Sequence, residues 1–207
     1  MNFIISIYLS RHLSSPDRIL GAFVGEFVKA PVDSDSEISQ GICFSNRIFD
    51  FIKTHPSFNK TRRRINFRYL KLQEEFVLLC YSHFLSVQWK EYSSVNWESS
   101  LRNTCIILSK NWEHIPYKLR TILPTLISNN EILKIDTMSG LDNYLKELAS
   151  KRFIGRKIKD ALQDLLGNYT SIKKDFEDLM PDLDQYIKQL LALEETENSP
   201  AVLANAS

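Results

Sequence analysis

Glycine is scarce in this chain, with six in 207 residues, too few for an architecture of many strands joined by tight turns. Charge of one sign is missing as well. Lys and Arg number 26 against 25 Asp and Glu, for a formal net charge of +1, which removes any global attraction to nucleic acid or anionic membrane. Cysteine is limited to Cys43, Cys80 and Cys105, which cannot all pair within one chain. Each lies in an apolar helical pattern, and buried reduced thiols are the expected state. No run approaches the roughly 20 apolar residues needed to span a bilayer. The briefly apolar start, Met1 to Ser10, has no basic residue ahead of it and is cut off by Arg11 and His12, the opposite of a secretion signal. The expectation is a soluble, cytoplasmic protein.

What is present is helical periodicity in nearly every segment. Ser14-Ser15-Pro16-Asp17 is a helix start, and the helix it opens is expected to reach about Lys29, before Pro31. Ser34 to Glu37 opens a second, stopping at His55-Pro56. A long third helix is expected over Ile65 to Trp89, with Phe76, Leu79, Cys80, His83 and Phe84 on one stripe. A fourth is placed over Asn96 to His114, then a short one ending near Asn129-Asn130, then helices near 139–151, 155–166 and 170–192 with Pro181 as a kink. The fold class is therefore all-α, a single bundle of about seven or eight helices. One domain is expected over 1–193, with 194–207 a disordered tail that turns small and polar. The aromatic stripe of Phe44, Phe51, Phe76, Phe84 and Trp89 reads as core packing.

Six segments, taken in order, carry a resemblance. Met1-Asn2-Phe3-Ile4-Ile5-Ser6-Ile7-Tyr8-Leu9 stands where a pattern Met-Asn-(Phe or Tyr)-Leu-Ala-His-Leu-His-Leu is known, and Leu20 to Val28 matches Leu-Gly-x-x-x-x-Asp-Phe-Val. Gly41 to Pro56 is similar to Gly-Ile-x-x-His-Arg-x-Ile-Asp-x-x-Thr-Asp-x-His-Pro. Ser82-His83-Phe84-Leu85 with Trp89 follows an Asp-His-(Phe or Cys)-Leu…Trp segment, and Leu148 to Arg152 and then Asp175-Phe176 with Pro181 follow two later blocks. The chain resembles the acyl carrier protein phosphodiesterases, compact all-helical relatives of the HD phosphohydrolases.

That resemblance implies a divalent ion, Mn²⁺ or Mg²⁺, and hydrolysis of the phosphodiester joining 4′-phosphopantetheine to a carrier-protein serine. Hard cations take carboxylate and imidazole ligands, and the bound ion supplies hydroxide near neutral pH. Here Ser6 and Tyr8 replace two histidines, Ser45 another, Phe49 an aspartate and Ser82 the aspartate of the Asp-His pair. Glu26 keeps a carboxylate, His83 is retained, and Arg47 could bind phosphate. No metal site is therefore expected. The expected function is a divergent family member holding a carrier protein, its phosphopantetheine arm or a small organic ligand in a cleft near Ser6, Tyr8, Ser45, Arg47, Phe49 and Ser82.

Three other readings stay open. Glu26 and His83 could hold a metal in an active hydrolase, or serve metal-free catalysis on the same cleft, with Cys43 as nucleophile, His83 as base and Glu26 as orienter. Alternatively, His83 is a core histidine satisfied by a backbone carbonyl. The tract Thr61 to Lys71 is the strongest local charge feature. Arg62, Arg63, Arg64, Arg68 and Lys71 suit an acidic carrier protein, with nucleic acid the weaker reading on a neutral chain. Lys151, Arg152, Arg156, Lys157 and Lys159 could widen that face.

Overall fold

A computed structural model describes residues 3–28, 36–65, 72–121, 123–124, 134–152 and 155–197. Those residues form eleven α-helical segments and a 3₁₀ turn, with no strand among them. The all-α expectation holds, and the higher helix count has local causes.

The first cause is α1, Phe3–Ser10, whose eight residues are all buried. It shows no polar face because a helix enclosed on every side needs none. It is the centre of the core and packs against α2, α5 and α7.

Helix α2, Pro16–Val24, starts with its proline in the first turn, where the missing N–H costs nothing. It stops at Val24, short of the expected Lys29. The chain then turns at Gly25, with Phe27 N–H donating to Val24 O at 2.8 Å. Helix α3, Glu37–Thr54, is capped by Ser36, whose hydroxyl accepts from Ser39 N–H. The α2–α3 crossing is made backbone to backbone at two glycines. A Cβ on Gly21 would fall 2.0 Å from Ile38 O, and one on Gly41 would fall 2.1 Å from Arg18 O. No other residue fits either place.

The expected 65–89 helix is described from Gln73 to Val87, and a separate helix that the sequence reading did not place comes before it. Pro56 ends α3 but also opens α4, Pro56–Arg64, with His55 as N-cap accepting from Ser57 N–H. The basic tract therefore occupies a helix end rather than a start, where arginines complement the dipole. Helix α5, Gln73–Val87, follows. The Gln73 amide donates to Arg62 O at 2.7 Å and Ile65 O at 2.9 Å, satisfying carbonyls left over at the end of α4. Short α6, Trp89–Tyr92, comes after a break at Gln88. Helix α7, Trp97–Lys110, is capped by Asn96 and ends before the 3₁₀ turn Trp112–His114, followed by α8, Tyr117–Arg120. Helix α8 falls at the start of the short helix expected after Pro116, whose expected end near Asn129-Asn130 lies outside the described residues.

Helices α9, Met138–Arg152, and α10, Gly155–Gly167, lie close to their expected places. Helix α11, Tyr169–Glu197, continues through Pro181 and past the expected boundary at residue 193. Its buried stripe of Ile172, Phe176, Leu179, Leu183, Ile187 and Leu190 follows the helical period and joins the core. Beside the stripe, carboxylates reach four partners. Asp175 meets Arg64 of α4, Asp182 meets His55, Asp184 meets Arg11 and Glu194 meets Arg18 of α2. Phe51 of α3 stacks on Tyr186 with ring centroids 4.4 Å apart.

Candidate functional site

The residues expected to line a cleft lie, with one exception, in a packed interior. Ser6, Tyr8, Ser45, Phe49 and Ser82 are each at most 6% exposed. Arg47 is the exception and is exposed on the outer side of α3. These five side chains are therefore enclosed rather than open to solvent.

Tyr8 is held between two charged groups. Its hydroxyl donates to Asp184 Oδ1 at 2.5 Å and accepts from Arg11 Nη2 at 2.5 Å. The Arg11 guanidinium also lies over the Tyr8 ring, reaches Asp184 at 3.4 Å and donates to Tyr92 O. Burial, and then the bond to Asp184, pushes the phenol pKa well up, so Tyr8 stays protonated and donates. His12 accepts from Arg11 Nε at 3.0 Å, and burial lowers its pKa to about 4. Arg11, His12 and Asp184 were not singled out by sequence reasoning. Arg11-His12 served there only as the end of an apolar run, and no periodic signal ties residue 8 to residue 184.

His83 is 1% exposed and both ring nitrogens are engaged. Nδ1 lies 2.5 Å from Ile135 O and therefore carries the proton, which leaves Nε2 to accept from Tyr169 Oη at 3.0 Å. Burial lowers its pKa, keeping the ring neutral. The reading of His83 as a core histidine satisfied by a carbonyl fits this geometry. The catalytic grouping of Cys43, His83 and Glu26 does not. Cys43 is half-buried on the same outer side of α3 as Arg47, and neither His83 nitrogen is left for it. Glu26 is exposed in the turn after α2, because that helix ends before Phe27 could share its face.

Two hydroxyls stand out by lacking a partner. Ser45 Oγ and Ser82 Oγ are buried without a hydrogen bond. Ser45 sits against Gly25, where an added Cβ would come 3.2 Å from its hydroxyl.

Of the expected docking residues, Arg64 turns inward. Its guanidinium pairs with Asp175 Oδ2, which also accepts from Thr61 Oγ1 at 2.9 Å, and Asp175 is 4% exposed. Arg63 is exposed, and Arg62 faces Glu74 at 3.6 Å. Arg68 and Lys71 lie outside the described residues, as do the side chains of Lys151, Arg152, Arg156, Lys157 and Lys159.

A family model described as acyl carrier protein phosphodiesterase matches residues 1–183. The chain belongs to that family. No curated protein and no solved structure matches it. The family relation sharpens the question of the divalent ion, and the donor set answers it poorly. Among the described residues no group of three or more His, Cys, Asp or Glu comes together to hold a metal. The interior offers neutral hydroxyls at 6, 45 and 82, a benzene ring at 49, a protonated phenol at 8 and a histidine with both nitrogens spent. These residues do not fit a hard dication. No helix among the described residues is long and apolar enough to cross a membrane.

Proposed function

We propose that this member of the acyl carrier protein phosphodiesterase family binds an acyl carrier protein without cleaving its phosphodiester. The observation that carries the reading is His83. The imidazole retained in the Asp-His segment of the resemblance has both nitrogens committed to Ile135 O and Tyr169 Oη, so a metal would have to break a buried bond to reach it. Recognition then rests on the outer side of α3 and α4, where Arg62 and Arg63 are accompanied by Lys53 and Lys60. Lys60 and Arg63 are exposed there, and Lys53 and Arg62 half-buried. A small acidic protein is the natural partner of such a face.

The test incubates the purified chain with holo-acyl carrier protein and Mn²⁺, weighs the carrier by mass spectrometry and titrates binding alongside. The expected result is unchanged carrier mass, salt-sensitive binding, and a melting temperature that neither Mn²⁺ nor EDTA moves. Loss of the phosphopantetheine mass, or a melting temperature raised by Mn²⁺, overturns it, because a bound ion must stabilise the folded state.

A further inference from the structure

Helix α4 presents Lys60 and Arg63 to solvent, with Arg62 on its flank. Lys53 projects from the end of α3 beside it. Into this basic rim reaches Glu74, at the start of α5. Its Oε2 lies 3.8 Å from Lys53 Nζ and its Oε1 lies 3.6 Å from Arg62 Nη1. The neighbouring residue explains why Glu74 is there. Gln73 is buried and bound to the carbonyls of Arg62 and Ile65, which pins the first turn of α5 to the last turn of α4.

We propose that Glu74 is a built-in competitor, occupying a two-cation clamp of Lys53 and Arg62 that takes a carboxylate from an acidic helix of the partner. The inference rests on the docking surface proposed above and adds its regulation. Both gaps exceed the 2.7–2.9 Å of a tight charge-assisted hydrogen bond, so the carboxylate is loosely held. All three side chains are between 41% and 49% exposed, and an incoming carboxylate can exchange with Glu74 through water. Two cations set against one carboxylate leave the rim positive, which is the complement an acidic helix needs. The pairs with Arg64 and Arg18 lack this property, because Asp175 and Glu194 are far more enclosed.

Fluorescence anisotropy with labelled holo-acyl carrier protein at low salt tests the proposal, with melting curves confirming that each variant is folded. Glu74→Gln should bind about two- to fivefold more tightly than the unaltered chain, the scale of one or two exposed ion pairs. The gain should vanish in Glu74→Gln combined with Arg62→Gln, and shrink in high salt. If the unaltered chain binds and Arg63→Ala weakens it while Glu74→Gln changes nothing, the competitor role is overturned and the docking surface stands. If neither the unaltered chain nor Glu74→Gln binds, both fall. Binding by Glu74→Gln alone would establish Glu74 as a full block.

Discussion

Two groups of cations lie on this molecule and do different work. One group, Arg11, Arg18 and Arg64, faces α11 and meets one carboxylate each, Asp184, Glu194 and Asp175, with the His55 ring bonded to Asp182 beside them. The other, on the outer side of α3 and α4, includes Lys53 and Arg62, which share Glu74. The first group is half-buried and one-to-one, so its charge is spent holding the last helix to α1, α2 and α4. The second is wet and loosely paired, so its charge remains available. A count of Arg and Lys along the sequence treats the two alike. Burial and pairing separate them.

The sharpest way to break this contrast is Asp175→Ala. It strands the Arg64 guanidinium beside a dry interior and removes the acceptor of Thr61, whose hydroxyl also lies 3.1 Å from Tyr81 Oη. Deleting one member of a fully buried pair costs about 3–5 kcal/mol, but the Arg64 side chain is 32% exposed and can hydrate, so about 1–3 kcal/mol is expected. Chemical denaturation should show a loss of that order. Glu74→Ala, the matching deletion on the outer rim, should cost under about 1 kcal/mol. Equal losses would erase the distinction between the two groups.

A smaller effect is expected one helix away. Tyr8→Phe removes the hydroxyl that both donates to Asp184 and accepts from Arg11, while leaving those two ions in reach of each other at 3.4 Å. The residual pair softens the loss, which should be about 1–2 kcal/mol in the same denaturation experiment. A loss near zero would mean that the phenol is a bystander to the ion pair and that α1 is held to α11 by packing alone.

How much of this could be read from the sequence depends on range. The helical class, the start of α7 and the boundaries of α9 and α10 followed from periodicity and caps, which are local. Pro56 misleads because proline ends one helix and begins the next with equal ease, so no helix is expected over 56–64, where α4 lies. Gly21 and Gly41 fall within the segments that carry the family resemblance, yet only their approach to Ile38 O and Arg18 O explains why a side chain is absent. The residues at the expected metal positions could be named in advance. Their new partners could not, since Asp184, Asp175 and Tyr169 lie 86 to 176 positions away in the chain from the groups they bind. Glu26 lies outside its expected helix for a nearer reason, a helix that stops at Val24, about five residues before the Lys29 its pattern implied.

The gentlest probe of the α11 side is acid. His12 lies beside Arg11, with Asp184 and Lys188 also facing it, and burial lowers its pKa from the ordinary 6.5 to about 4. Between those values the unfolded chain binds the proton and the folded chain does not. Stability from this group is therefore whole above about pH 6.5 and is lost as pH falls through about 4. A shift of that size in a fully dry site would amount to about 3 kcal/mol, but the His12 ring is only half-buried, so about 1 kcal/mol is expected. His83, also lowered by burial, adds a loss of the same sign. Denaturation midpoints between pH 7 and 4 should thus fall less steeply for His12→Gln than for the unaltered chain. Parallel slopes would mean that the ring takes up its proton at the same pH folded and unfolded, and that burial beside Arg11 does not hold it in the acceptor form on which the packing beside Tyr8 depends.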